Sequence, residues 1–235
     1  MGLSHAARVP TPVVGVSFLH GEFLLNKGLT NISYYFGILI PFWLAIGVAV
    51  AGALYPGYSQ VNQAMSELGA MGAPTHIISP LINNYPLGLL FIFFGLAVFS
   101  SFPESRLSKL SGALIAIHGV GSISAGYFSC DFGCKPVDPS PTQLLHFASG
   151  MVMSLSLMIS VIIWAYLANR LLLAKKFSAF SLACFLVAAL ALPAMAQAMK
   201  SGVGIGLYQR INYGACVIWV AGLAFVLLRY KHRQS

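Results

Sequence analysis

The chain has 235 residues, 58% of them hydrophobic and 8% charged, with a mean hydropathy of +0.82 and a formal net charge of +8. Soluble globular domains carry about 25% charged residues, so this composition excludes one. The basic excess invites a nucleic-acid reading, but the placement of the charges, followed below, is that of a membrane topology.

Residues 1–31 come first. The apolar part of "MGLSHAARVPTPVVGVSFLHGEFLL" is broken by His20 and Glu22, and no small-residue cleavage site follows it, which argues against a signal peptide. Ala6 stands where a myristoylation pattern needs Ser or Thr. The segment reads as cytoplasmic, lying partly on the membrane surface. A bilayer core of about 30 Å needs roughly 20 apolar residues per helix. Six such stretches follow, at about Ile32–Leu54, Leu81–Phe102, Ser111–Ser129, Gln143–Ala168, Ser178–Met199 and Ile211–Tyr230. None alternates as a barrel strand would. The predicted fold is therefore all-α: one six-helix membrane domain over 32–230, with a short tail at 231–235.

Placing both termini in the cytoplasm puts ten cations inside (Arg8, Lys27, Arg106, Lys109, Arg170, Lys175, Lys176, Arg229, Lys231 and Arg233). Three, Lys135, Lys200 and Arg210, then lie outside. This is the positive-inside bias, expected here of a bacterial inner membrane, and it leaves no role for nucleic acid.

The first outer connection contains "YPGYSQVNQAMSELGAMGAP" (55–74). Val61, Ala64, Met65 and Leu68 fall on one helical face, which predicts a short amphipathic helix capped by Ser59 and ended by Gly69. Ser66 and Glu67 lie on it; the plain alternative is a surface helix whose polar side meets water. The second span opens with Ser79 as N-cap and Pro80 as first helical residue, then Asn83 and Asn84. Pro86 has no N–H to donate and frees the Ile82 carbonyl. Helix ends of this kind line cavities in membrane proteins. Pro41 and Pro193 place similar breaks in the first and fifth spans.

Between the third and fourth spans, "GYFSCDFGCKPVDPSPTQLLH" (126–146) carries Asp131 near one helix end and His146 near the start of the next. Ionisable groups at membrane depth are costly and point to function, the alternatives being a wetted Asp and a His bonded to a carbonyl. Cys130 and Cys134 flank Asp131; outside the cell they suit a disulfide, with two free thiols as the alternative. A zinc site using both Cys and His146 lacks a fourth ligand, with His76 a remote candidate. His118 lies at a different depth from His146, so the two make no haem pair and His118 fits a close helix contact. Cys184 and Cys216 read as packing residues. Arg210, in "GIGLYQRIN" before the sixth span, can pair with Glu67 or Asp131 or clamp an anion.

"YSQVNQAMSELGAMGAP", "GYFSCD" with the later His146, and "GLYQRIN" resemble a large bacterial and archaeal family of six-helix hypothetical membrane proteins, a domain of unknown function. The likeness covers about 32–230 and rests on Ser66–Glu67–Leu68–Gly69, Gly126-x-Phe128-x-x-Asp131, His146 and Arg210. It implies a fold and a set of residues, not an activity. Ser66, Asp131 and His146 also distantly resemble the zinc-dependent membrane hydrolases of the alkaline ceramidase and adiponectin-receptor type. The paired "HxxxH" and the seventh helix of those enzymes are absent.

The expectation is a pocket at the outer face, lined by Glu67, Asp131, His146 and Arg210 with Ser66, Asn83 and Asn84. It would bind or transport a small polar ligand or a membrane lipid headgroup without a cofactor. The alternatives are a hydrolase of lipid esters, amides or phosphates using His146 oriented by Asp131, and a structural subunit of a membrane complex.

Overall fold

The computed structural model describes residues 27–234, and the expected N-terminal segment lies almost wholly outside them. Six helices long and apolar enough to cross a membrane make up the fold. They are α1 (Lys27–Ala53), α2 (Tyr85–Ser101, continuing a π-helical turn at Pro80–Asn84), α3 (Arg106–Tyr127), α4 (Pro141–Leu172), α5 (Lys175–Ser201) and α6 (Ile205–His232). No strand occurs among the described residues. Each helix packs on its neighbour in sequence, and α6 returns to α1, so the bundle is a closed ring. The connections at 102–105 and 173–174 are tight turns. Those at 54–79, 128–140 and 202–204 lie together at the other end, hereafter the loop end.

Local chemistry sets the helix boundaries. Ser105 accepts the Ser108 N–H at 3.2 Å at the start of α3, and Ser140 accepts the Gln143 N–H at 3.2 Å ahead of Pro141 at the start of α4. Ser79 does not cap α2 as expected. It is itself helical, and the chain enters α2 through the π turn, closed by Tyr85 N–H to Pro80 C=O. The carbonyl that Pro86 frees is used: the Trp43 indole of α1 donates to Ile82 O at 2.8 Å.

The half of the bundle away from the loop end is filled by Trp164, Leu167, Phe94, Val98, Leu223 and Leu227, all buried in one cluster. Glycines bring α2 and α3 close: a Cβ on Gly95 would meet the Gly112 carbonyl at 2.7 Å, and one on Gly119 would meet the Gly88 carbonyl. At mid-depth His118 is fully buried. Its Nδ1 donates to Met153 O of α4 at 2.9 Å, which leaves Nε2 to accept the Tyr213 hydroxyl of α6 at 3.0 Å. This is the cross-helix contact read from the sequence. Cys184 and Cys216 are free and buried, as packing residues should be.

Candidate functional site

The loop end is roofed by residues 55–79. The amphipathic helix expected there is reduced to one 3-10 turn, Met65–Gly69. Carbonyls that an α-helix would use internally are taken from outside: Val61 O accepts Leu207 N–H at 2.9 Å and Gln63 O accepts Arg210 Nη1 at 3.1 Å. Ser59 caps only a local turn, receiving the Asn62 N–H at 3.1 Å. Gly69 does end the short helix. Leu68 is fully buried and Val61 is exposed, so the apolar face is split as well.

This roof is strapped to the start of α6 and to the 128–140 loop. Asn62 Oδ1 accepts Gly204 N–H at 3.0 Å, Gln209 Oε1 accepts Met65 N–H at 2.6 Å, and Cys130 O accepts Met71 N–H at 2.8 Å. Gly206 must be glycine for the roof to sit down, because a Cβ there would overlap the Gln63 carbonyl oxygen. Arg210 donates to Gln63 O, to the Tyr58 hydroxyl at 2.8 Å, to Gln60 Oε1, and to Gly206 O at 2.9 Å. Burial holds the Tyr58 phenol above its ordinary pKa, so it remains an un-ionised partner for Arg210.

Under the roof lies a cavity of about 550 Å³ with a wall from every helix. Ser66, Glu67, Asn83, Asn84 and His146 line it, so the structure brings together five of the seven residues expected at the site. Glu67 is 7% exposed; its carboxylate accepts the Ala64 N–H at 2.8 Å and the Gln63 amide at 3.2 Å. Asn84 donates to Ser122 O at 3.3 Å. Asn83 is buried, and its side-chain oxygen has no hydrogen-bond partner. His146 Nδ1 lies 3.0 Å from Ala125 O and 2.8 Å from Phe128 O. Two carbonyls fix Nδ1 as the donor and leave Nε2 as the acceptor of the neutral ring.

Two expected members stand apart. Asp131 accepts the Ser140 hydroxyl at 2.6 Å and the Ser140 N–H at 2.9 Å, and neither it nor Arg210 lines the cavity. These Ser140 bonds hold the Asp131 carboxyl below the ordinary carboxylate range. The single cluster of four charges does not form: Asp131 and His146 bond different partners, and Arg210 meets carbonyls, an amide and a hydroxyl in place of a carboxylate. Each charge sits where irregular backbone leaves orphan groups, and those nearer partners satisfy it first. With the Asp–His pair goes the orientation of His146 required by the hydrolase alternative. Cys130 and Cys134 lie with their sulfurs at bonding distance and their Cα atoms 5.1 Å apart. His76 is engaged by Gly69 O at 3.0 Å, and among the described residues no three His, Cys, Asp or Glu are grouped to hold a metal.

Sequence reasoning missed much of the wall. Lys135, Gln209 and Tyr213 line the cavity, with Gly150 and Met151 of α4 and Leu192, Met195 and Met199 of α5. The spacing 192–195–199 is a helical stripe that could have been noticed. Lining residues on α4 and α5 (Phe147, Gly150, Met151, Leu155, Leu192 and Met199) are also exposed, so the cavity opens between these two helices. Lys135 is the remaining exposed lining residue, at the loop end.

Fold and site together define a multi-pass α-helical membrane protein with a roofed, laterally open cavity. Its family is that described as "Protein of unknown function (DUF998)", whose model matches residues 38–226; the chain belongs to it. No curated protein and no solved structure matches.

Proposed function

We propose that this protein binds a membrane lipid, holding the headgroup among Ser66, Glu67, Asn83, Asn84 and His146 and the acyl chains along the opening between α4 and α5. One observation carries this reading: a single cavity is polar beneath the roof and apolar where it meets the surface that faces lipid. A small polar solute has no use for the Leu192–Met195–Met199 stripe, whereas an amphiphile matches both halves. The charge asymmetry supports an inner-membrane placement with both termini cytoplasmic and the roof outside, so that the headgroup belongs to the outer leaflet.

Native mass spectrometry of the full chain, extracted in mild detergent, tests the binding. Wild type retains lipid through purification. G150W, whose first side-chain atom meets nothing within 4 Å, fills the cavity and releases that lipid with the helical fold intact. Lipid-free wild type, or equal lipid on G150W, overturns the reading. Topology is tested by cysteines at exposed Val137 and Val203, which should react with an impermeant maleimide added outside intact cells. Labelling only after lysis would reverse the orientation.

A further inference from the structure

Two formally charged residues line the cavity, and they are of opposite sign. Glu67 comes from the roof and Lys135 from the disulfide-bearing loop. These walls meet, since the 3-10 turns at Met65–Gly69 and Phe132–Cys134 are in contact. Glu67 is more than nine-tenths buried. Neutral donors alone hold it, and among the described residues no cation pairs with it. A buried carboxylate offset only by an amide and one N–H is short of a counter-charge. Lys135, exposed at the loop end of the cavity, has no carboxylate partner among the described residues. The empty half of each interaction belongs to a molecule with one cationic and one anionic group.

From this we infer that the ligand is a zwitterionic phospholipid bearing a primary ammonium, the ethanolamine class, with the ammonium at Glu67 and the phosphate at Lys135. The inference rests on the lipid-binding reading above. A primary ammonium offers the N–H donors that a carboxylate accepts. A quaternary ammonium has none and is recognised by an aromatic cage. The aromatic residues lining this cavity are Phe147 and Tyr213, and the Tyr213 hydroxyl is engaged by His118. A glycerol headgroup would meet Lys135 through its phosphate but offer Glu67 only neutral hydroxyl donors and no counter-charge.

The full chain in detergent is offered an equimolar mixture of ethanolamine, choline and glycerol phospholipids with identical acyl chains, and bound species are counted by native mass spectrometry. Ethanolamine lipid should exceed each of the others by about tenfold, the scale of one charge-assisted contact. E67Q should lower the ethanolamine lipid to the level of the other two, and K135A should lower all three together. Soluble glycerophosphoethanolamine at the same concentration should not occupy the site; if it does, the ligand is a free zwitterion and the lipid assignment falls. Equal or better binding of choline or glycerol lipid by wild type overturns the inference without recourse to any variant. So does a preference that survives in E67Q. Wild type binding none of the three lipids fails differently, because it removes the lipid reading itself.

Discussion

Replacing Arg210 with Ala should loosen the roof without unfolding the bundle. Three of the four hydrogen bonds from Arg210 go to residues 58–63 and join that segment to α6, while the fourth stays within α6. A hydrogen bond to a charged group contributes about 1.5–3 kcal/mol when buried. Arg210 is half-buried, and solvent screening reduces each to about 1 kcal/mol. The roof then loses about 2–4 kcal/mol of its local opening free energy, and its amides exchange about 30- to 1000-fold faster. Hydrogen exchange read by mass spectrometry on protein in nanodiscs gives this directly. The amides of Met65, Gly204 and Leu207 report the surviving straps to Gln209, Asn62 and Val61. R210K should recover only part of the protection, because one ammonium does not span the three acceptors of a planar fork. Exchange across 58–70 within threefold of wild type would refute the reasoning. So would uniform acceleration reaching the α3 segment around His118, since that would make Arg210 a determinant of the whole fold.

Asp131 gives a pH dependence of defined sign: Ser140 lowers its pKa in the fold, so its contribution is present above the ordinary carboxylate range and lost as pH falls through the depressed value. The difference in Tm between wild type and D131N should accordingly be constant at neutral pH and vanish in acid. S140A removes both the α4 cap and an Asp131 bond and should cost about 1–2 kcal/mol by thermal denaturation. Alkylation of unfolded, unreduced protein should modify two thiols, Cys184 and Cys216, and spare Cys130 and Cys134; four modified thiols would exclude the disulfide in the mature chain.

The six spans were legible because twenty apolar residues in a row have little else to do than cross a bilayer. Their ends were less so. α6 begins at Ile205 and not near Ile211, since Gln209 and Arg210 turn to the roof while the helix continues beneath them. Apolarity reports contact with lipid; helicity depends on backbone bonding, and the two part at the rim. The roof was misread for a related reason. The spacing of Val61, Ala64, Met65 and Leu68 is helical, but tertiary donors capture the carbonyls that a helix there would need. Composition likewise picked out Glu67, His146 and the two Asn as residues of one cavity, but it carries no information on partners. Asp131 and Arg210 were selected for their charge, and each bonds loop backbone that only the folded chain brings near. Lys135 was passed over because a loop lysine has no distinguishing pattern.

The arrangement of bonds around the cavity bears on how a ligand reaches it. The hydrogen-bonded straps of the roof run to the start of α6, the 202–204 connection and the 128–140 loop; among the described residues none reaches α4 or α5. Toward α5 the roof has only apolar packing, Ala64 against Ala198 and Met195. α4 and α5 are joined by the turn at 173–174, at the end away from the roof. Their roof-side halves are therefore held by dispersion contacts that lipid tails replace at little cost, since tails are as apolar as the side chains they displace. Lifting the roof breaks several directional bonds at once, whereas parting α4 from α5 breaks none of them. On the lipid-binding proposal, a headgroup whose tails stay in the membrane would enter from the side, through the gap lined by Met151 and Met199, with the roof left in place as a fixed ceiling above it.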